Sequence, residues 1–388
     1  MTGNPFFPGD RDEGDTAHPD MHTHIDEALN GAIYAANYTD LQDALDDAVT
    51  YQVPLVIGPN PNHVSGEWEI DTGLLVTGAT GLHIVGQAGY RTVIRATTTM
   101  DTLIELNGCN YSSISNLYLT TAAVGVTVGK MLHVTHTPGV NTSSQILINR
   151  MQVGGTYVTG IHVGEPTSTG QVDTVTLMNC IVQGDYDLDD VSGNWLYGVY
   201  LGSNAWGNHL EYRLYTVDIT GVQTCVYVAA TSAYIVNGSW GRAAVGVYNN
   251  AFRLIIDSIR TDGNMTHFME SPTGAFTRSG LTELRNIEFN LTSEDWEPAD
   301  NIWMIYGLNG SLRLINVYCS WRHDGISPQI TIEPYVACAV TTDCLFVRSY
   351  ATLATYAGAF DSNANVDFEG RIIAIDNAGQ TVGILKPV

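Results

Sequence analysis

Hydrophobic and polar residues follow a short pattern that recurs through most of this 388-residue chain. In eight of the nine copies an aliphatic residue lies two positions before a polar anchor residue, and further apolar residues follow the anchor; before the ninth anchor the position is Thr341. The anchors are Asn116, Asn149, Asn179, Thr216, Asn237, Asp257, Asn286, Asn316 and, weakly, Asp343. A second segment with alternating apolar residues begins at Gly125, Gly160, Gly198, Cys225 and Gly246. Two strand segments per repeat of about 20–30 residues predict the stacked coils of a β-solenoid.

The anchors and the aliphatic residues before them should occupy fixed places in each coil. Leu147 and Ile255, for example, each lie two residues before an anchor and are predicted to face the core. An asparagine at a fixed turn can donate its side-chain amide to the next coil, so the anchors predict a hydrogen-bonded ladder.

A different periodicity precedes the coils. In YTDLQDALDDAV, the apolar residues Leu41, Ala44 and Leu45 recur at helical spacing, and Thr39 with Gln42 fits a capping box. The segment predicts a short amphipathic helix that covers the open end of the solenoid core.

In each second segment, the middle residue should point outward because the side chains of a strand alternate between its faces. Successive coils lie about 4.8 Å apart, so these residues should form a row on one outer face. The row comprises Thr127, His162, Tyr200, Tyr227 and Tyr248. Three interpretations stay open: contacts with the sugar rings of a polysaccharide, contacts between the chains of a trimer, and packing between neighbouring strands.

Three insertions leave the predicted coil at the same corner, and each carries carboxylates beside a tryptophan. Trp195, Trp296 and Trp321 suit carbohydrate, because an aromatic ring stacks on the C–H face of a sugar and carboxylates accept its hydroxyls. Glycoside hydrolysis needs two carboxylates about 5–9.5 Å apart, which residues on neighbouring coils can supply. The candidate pairs are Asp189 or Asp190 with Glu211, and Glu294 with Asp324.

The first insertion contains DYDLDD, in which acidic residues alternate as they do at the start of a calcium loop. Asp185, Asp187 and Asp189 could hold Ca²⁺ in a loose site, or form a solvated acidic loop. An EF-hand is excluded because Asp190 replaces its glycine and Leu196 replaces its glutamate.

The start of the predicted solenoid resembles a known family. The helix, the strand VPLVIGP (53–59), the segment EWEID and the glycine-rich GLHIVGQAG before Thr92 resemble the opening of pectate-lyase-like proteins. Those proteins are right-handed parallel β-helices, and many are tail spikes and fibres of tailed viruses. The resemblance covers roughly residues 38–340 and implies an all-β, right-handed parallel β-helix with an N-terminal capping helix and an extended arm.

The predicted organisation follows from these features. It comprises an N-terminal connector arm (1–37), a capping helix (38–52), the β-helix (53–345) and terminal coils or a cap (346–388). Within the arm, MHTHIDEAL resembles the HxH connectors of viral tail fibres. In such trimers, histidines from three chains bind a transition metal on the axis, which would assign this role to His22 and His24; the alternative is a polar linker.

Composition restricts the partners. The chain has 40 acidic and 16 basic residues, a net charge of −24, and only two lysines. Such a chain does not bind nucleic acid or anionic membranes by electrostatics, since both need clustered cations. The N-terminus shows no basic, apolar signal-peptide pattern, and no apolar run is long enough to span a membrane. The six cysteines lack metal-site spacing and are expected to be buried free thiols.

The sequence therefore predicts a virion spike or fibre: a homotrimer that recognises a host surface glycan or glycoprotein. Its arm would attach it to other virion proteins on the outside of the particle. No cofactor is required, although a structural Ca²⁺ or a histidine-bound transition metal is possible. The alternatives are a polysaccharide hydrolase or lyase on the same fold, and a purely structural appendage.

The excess of acidic residues generates a prediction about salt. On a β-helix the aliphatic residues occupy the interior, so the acidic residues lie on the surface, where they keep the protein hydrated at high ionic strength. A salt-loving or high-GC host, such as a haloarchaeon, is expected. We expect the free energy of unfolding, measured by urea titration, to rise between dilute buffer and about 2 M KCl. Stability that does not change with salt would favour a high-GC, non-halophilic host.

Overall fold

The structure is a computed structural model and describes most of the chain between residues 31 and 385. The described ranges are 31–87, 92–122, 125–137, 142–164, 171–185, 196–202, 211–262, 266–270, 280–291, 303–306, 310–321, 330–332, 338–349, 360–362, 366–375 and 381–385.

One α-helix and 31 strands make up the described elements. The helix is α1 (Leu41–Tyr51), preceded by a 3-10 turn at Ala35–Asn37. The first sixteen strands are β1 (Ile33–Tyr34), β2 (Leu55–Ile57), β3 (Trp68–Ile70), β4 (Leu74–Thr77), β5 (His83–Gly86), β6 (Thr92–Ala96), β7 (Met100–Asn107), β8 (Ser113–Ser115), β9 (Leu117–Thr121), β10 (Val128–Thr135), β11 (Ser143–Asn149), β12 (Gln152–Val153), β13 (Tyr157–Val163), β14 (Val172–Gln183), β15 (Tyr197–Gly202) and β16 (Glu211–Thr220). The others are β17 (Thr224–Ala229), β18 (Ser232–Gly241), β19 (Val245–Asn249), β20 (Arg253–Asp262), β21 (Thr266–Glu270), β22 (Gly280–Arg285), β23 (Glu288–Leu291), β24 (Trp303–Tyr306), β25 (Gly310–Ile315), β26 (Val317–Trp321), β27 (Ile330–Ile332), β28 (Cys338–Ser349), β29 (Phe360–Ser362), β30 (Val366–Ile375) and β31 (Thr381–Leu385).

The strands form two long sheets that the chain visits in turn. Sheet A has 20 strands, and sheet B has nine, in the order β24-β21-β19-β17-β15-β13-β10-β7-β4. Strands β27 and β29 form a separate pair. The strand pairs of sheets A and B are parallel, except for the antiparallel pair β30–β31. Each passage through both sheets is one coil, so the predicted all-β parallel β-helix is confirmed.

Sheet A bends at one residue in each coil, and this corner divides it into two faces. At the corner the backbone adopts the left-handed conformation in eight successive coils, with φ between 50° and 59°. The corner residues are Asn116, Arg150, Asn179, Thr216, Asn237, Ser258, Asn286 and Asn316. Asparagine tolerates this conformation because its short polar side chain bonds locally, which explains why it dominates the repeat.

The anchor alignment is wrong by one residue in two coils. Arg150, not Asn149, and Ser258, not Asp257, occupy the corner. Leu147 is consequently 37% exposed, and Ile148 lies in the core instead. A shift of one residue moves every side chain of a strand to its opposite face.

The same one-residue shift changes which residue faces the core in the coil whose corner is Ser258. Ile255 is half-buried on the outer side of β20, and Ile256 takes the core position.

The predicted asparagine ladder forms in two separate runs. Asn316 Nδ2 donates to Asn286 Oδ1 at 2.8 Å, and Asn286 Nδ2 donates to Asp257 Oδ1 at 2.9 Å. Earlier in the chain, Asn179 Nδ2 donates to Asn149 Oδ1 at 3.3 Å. Anchors that miss the corner therefore still accept a bond from the next coil.

Helix α1 lies over the start of the stack, and its apolar side packs into the core. The predicted capping box is wrong: Asp40 is the N-cap, since its Oδ1 accepts the Gln42 N–H at 2.8 Å, and not Thr39. The Gln42 side chain reaches sheet B instead. Its Nε2 donates to Leu75 O and its Oε1 accepts Leu75 N–H, both at 2.8 Å.

The observed elements cross two of the predicted boundaries. Strand β1 lies within residues assigned to the arm, with Ile33 buried and paired to Leu55 of β2. At the other end, β28 continues beyond residue 345 and pairs with β30 up to Ile375.

The interior is a single apolar column that extends from Ile33 to Val317 among residues of described burial. Cys109, Cys180 and Cys225 lie in it as free thiols, as predicted for these three. Burial raises the pKa of Cys109 and of Cys180 to about 11, so both stay protonated and unreactive. None of the described residues forms a helix long and apolar enough to cross a membrane.

Thr216 generates a prediction about the corner. It is a β-branched residue with φ 54°, a conformation in which its Cβ is strained. We expect Thr216→Asn to raise the free energy of unfolding by about 1 kcal/mol. The matched control is Thr176→Asn, at an outward strand position of β14 without left-handed backbone. Equal effects of the two changes in urea unfolding would contradict the corner explanation.

Candidate functional site

Sheet B carries a row of side chains that point outward at one register position. Pairing aligns Leu75, Glu105, His133, His162, Tyr200, Tyr227 and Tyr248. The backbone register of this position continues at Met269 and Tyr306. We call His133, His162, Tyr200, Tyr227 and Tyr248 the ring row. Four of these five were predicted from the sequence.

The first predicted member of the row is wrong. Thr127 lies before β10, whereas His133 pairs with His162 and completes the row. His133 was not predicted from the sequence because β10, an eight-residue strand, has no glycine two positions before it, where most of the later copies have one.

The rings of the row pack on one another from coil to coil. Ring centroids of Tyr200 and Tyr227 lie 4.4 Å apart at 12°, and those of Tyr227 and Tyr248 lie 5.2 Å apart at 18°. His162 lies 4.6 Å from Tyr200, and His133 meets His162 edge-on at 4.9 Å. The packing between strands that was considered from the sequence is therefore present.

This stacking determines what the row can offer to a ligand. His133 and His162 are buried, at 4% and 8% exposure, whereas the three tyrosines are half-buried. The faces of Tyr227 are occupied by its neighbours, so its ring edge and hydroxyl remain for contact. A ligand would therefore meet a line of hydroxyls and ring edges and could not stack flat on the rings.

The phenols of Tyr200 and Tyr227 stay protonated. Burial raises the pKa of Tyr200 and of Tyr227. The neighbouring tyrosines raise the pKa of Tyr200 further, whereas hydrogen bonds with Asn250 and Tyr200 partly offset the rise at Tyr227. The Tyr200 hydroxyl bonds to Tyr227, whose oxygen also interacts with Asn250. Burial likewise raises the pKa of Tyr197, which packs edge-on against Tyr200 at 5.3 Å. Tyr197, Tyr200 and Tyr227 therefore keep their phenolic protons at physiological pH.

Charged groups lie at the end of the row near helix α1. His133 Nδ1 lies 3.7 Å from Glu105 Oε2, and its Nε2 lies 3.2 Å from Gly164 O. The hydrogen bond and charge of His133 lower the pKa of Glu105 despite its partial burial, and Lys130 acts in the same direction. Gly164 has φ 108°, and a Cβ there would meet the backbone of Gly202 at 2.8 Å, so only glycine fits. Sequence reasoning gave no signal for Glu105.

The insertion residues lie largely outside the described residues. These are Asp187, Asp189, Asp190, Trp195, Glu294, Trp296 and Asp324. Trp321 ends β26 at the position paired with Leu291. The strands that precede the three insertions belong to the same face of sheet A and end at Gln183, Leu291 and Trp321. This agrees with the prediction that the insertions leave the coil at one edge.

The remaining candidates have ordinary partners where they are described. Glu211 accepts from Arg213 Nε at 2.9 Å, and its proposed carboxylate partners are outside the described residues. Asp185 is exposed and accepts from Thr156 Oγ1 at 2.9 Å. His22 and His24 also lie outside the described residues, and within the described part no cluster of three metal-ligating side chains occurs.

Comparisons with known proteins concern the fold alone. No protein-family model and no curated protein matches the chain, so the pectate-lyase-like assignment stays a prediction. Similar solved structures include the following two. The Dettilon tailspike protein is 10% identical, with 89% of this chain and 69% of that chain covered and a TM-score of 0.44. The A-module of the Azotobacter vinelandii mannuronan C-5 epimerase AlgE6 is 11% identical, with 91% and 93% covered and a TM-score of 0.38.

The Glu105–His133 contact generates a prediction about pH. Because the folded pKa of Glu105 lies below its ordinary value of 4.5, its carboxylate stabilises the fold above that pH, and the stabilisation is lost as the pH falls through the depressed value. We expect Glu105→Gln to lower the free energy of unfolding at about pH 7 by about 1 kcal/mol. The difference should shrink as the pH falls below 4.5 and vanish below the depressed pKa of Glu105.

Urea unfolding across this pH range provides the measurement. Asp71→Asn, which changes an exposed carboxylate in the turn after β3, is the control. A deficit of Glu105→Gln that persists unchanged at low pH would contradict the assignment.

Proposed function

We propose that this chain is the host-attachment spike of a virus, a homotrimeric β-helix that binds a host surface glycan along the tyrosines of the ring row. The single observation that carries the proposal is the line of half-buried, mutually stacked tyrosines on sheet B. Their hydroxyls recur once per coil. A ligand that repeats along its length, as a polysaccharide does, suits a surface that repeats in the same way.

The chemistry of the row favours hydrogen bonding to sugar hydroxyls. Each phenol both donates and accepts, and partial burial strengthens such bonds relative to those in water. Because Tyr200, Tyr227 and Tyr248 are already packed on one another, they lose little side-chain entropy when a ligand binds.

The sequence supports the location on a virion. Residues 1–37 would attach the spike to other virion proteins, and His22 and His24 would hold a transition metal on the trimer axis. The trimer would lie on the outside of the particle, on the tail or on the capsid. A calcium ion at Asp185, Asp187 and Asp189 would tie the first insertion to its coil.

A polysaccharide hydrolase or lyase is the second candidate, and the end of the ring row near helix α1 favours it. Glu105 supplies a carboxylate that its lowered pKa keeps ionised but makes a weak base, and Lys130 supplies a cation close enough to lower that pKa. A lyase needs a base to remove a proton and a cation to stabilise the resulting enolate. Glycan held along the tyrosines would place one end beside these groups.

The test measures binding to an array of microbial surface polysaccharides. We expect Tyr227→Phe and Tyr248→Phe each to lower the affinity roughly fivefold to tenfold, because each removes one hydroxyl and keeps the ring stack. Tyr51→Phe is the control, since Tyr51 is 40% exposed on helix α1, away from the row.

The outcomes separate the three functions. Release of reducing ends or unsaturated uronates from a bound glycan would establish the enzyme. Equal binding by all three variants would contradict the row as the glycan site. Light scattering on the same samples should give the mass of three chains; a stable single chain would overturn the trimer.

A further inference from the structure

The face of sheet A before the corner has an unusual composition. Its outward side carries four arginines on strands β16, β20, β22 and β25. We call this surface the arginine face. Its members used below are Arg213, Tyr234, Arg253, Ile255, Leu281, Glu283, Arg285 and Arg313, together with Phe252, which directly precedes β20. Pairing places Arg213, Tyr234, Glu283 and Arg313 in one column, with Ile255 between them.

The charge of this face differs from that of the chain. Four of the 14 arginines lie on it, whereas the whole chain has 40 acidic residues. Its acidic residue Glu283 is buried, at 4% exposure, where it bonds to Arg285 and lies 4.0 Å from Arg313. The two guanidinium side chains stay exposed, at 37% and 48%. Glu283 therefore holds the guanidinium groups of Arg285 and Arg313 at the surface, while its own carboxylate is buried.

Arg253 adds a further exposed cation to the face. It is exposed, and it forms no ion pair with the part of the chain that the structure describes. The remaining acidic residues of the face are already engaged: Glu211 bonds to Arg213, and Asp257 accepts from Asn286.

Exposed apolar side chains accompany these arginines. Phe252 and Leu281 are 40% and 37% exposed, and they lie on successive coils, where Leu281 N–H donates to Phe252 O at 3.1 Å. Tyr234 and Ile255 are half-buried beside them. Contiguous exposed apolar groups mark interfaces, and protein interfaces are enriched in arginine and aromatic residues. Aliphatic side chains give a sugar little to bond, so the face suits protein better than glycan.

We infer that the arginine face is the surface by which one copy of this chain binds the next in the homotrimer. The inference rests on the proposed trimer and assigns its contact. A two-fold contact would bring the arginines of two copies together, and like charges would repel. In a cyclic trimer the contact is between different surfaces, so the arginines meet the acidic surface of the next copy. The ring row on sheet B is then left open to ligand.

A matched pair of charge reversals on one strand tests the inference. Arg253 and Arg260 both belong to β20 and are both exposed, but they lie on opposite sides of the corner at Ser258. We expect Arg253→Glu to raise the concentration at which the trimer dissociates at least tenfold, measured by analytical ultracentrifugation. Arg260→Glu should leave that concentration within about twofold of the parent.

A second pair tests the apolar part of the face. Phe252→Asp should also dissociate the trimer, whereas Val64→Asp, at a fully exposed loop position, should not. Circular dichroism checks that each variant keeps its β structure. Equal weakening by Arg253→Glu and Arg260→Glu would indicate a general charge effect and overturn the assignment. An unchanged trimer in both Arg253→Glu and Phe252→Asp would overturn it as well.

The outcomes are distinguishable from those of the glycan proposal. Loss of glycan binding in Tyr227→Phe with an intact trimer concerns the ring row alone. Binding of polygalacturonate that Arg253→Glu abolishes, without a change in oligomer mass, would overturn the subunit contact in favour of an acidic-glycan site. A parent protein that sediments as a single chain would overturn the inference whatever its glycan binding.

Discussion

Backbone hydrogen bonds between successive coils determine the rest of this structure, because they fix the register of every strand. Parallel pairing stacks each residue directly on its counterpart about 4.8 Å away. A slip of one residue would turn the core residues of a strand to solvent, so register and burial enforce each other. The apolar column from Ile33 to Val317 results from this agreement in successive coils.

The same register turns single residue choices into extended surfaces. Left-handed residues form the corner, histidines and tyrosines form the ring row on sheet B, and arginines lie together on one face of sheet A. Each stacked pair of rings contributes about 0.5–1.5 kcal/mol beyond burial, so a row stabilises the coils that display it. The proposed glycan recognition would therefore use the same side chains that stabilise the coils, with the ring faces packed on one another along the row.

The sequence predicts the coils well and the exact register less well, for a physical reason. In ILIN and LIID, consecutive aliphatic residues fit the core with either alignment, so Leu147 and Ile255 are assigned to the wrong side. Tertiary pairing decides between the two alignments. The helix was predictable from its periodicity, but its N-cap was not, since Thr39 and Asp40 both have capping side chains. Charge contacts such as Glu105–His133 join distant residues and leave no local pattern.

The contact between helix α1 and sheet B has a consequence for the length of the assembly. Strand β4 is the last strand of sheet B, and an open edge of this kind recruits strands from other molecules. The Gln42 side-chain amide bonds both the N–H and the C=O of Leu75, as the peptide group of another strand would. One glutamine thus imitates a further coil and occupies the attachment point at Leu75, which protects the rod from end-to-end polymerisation.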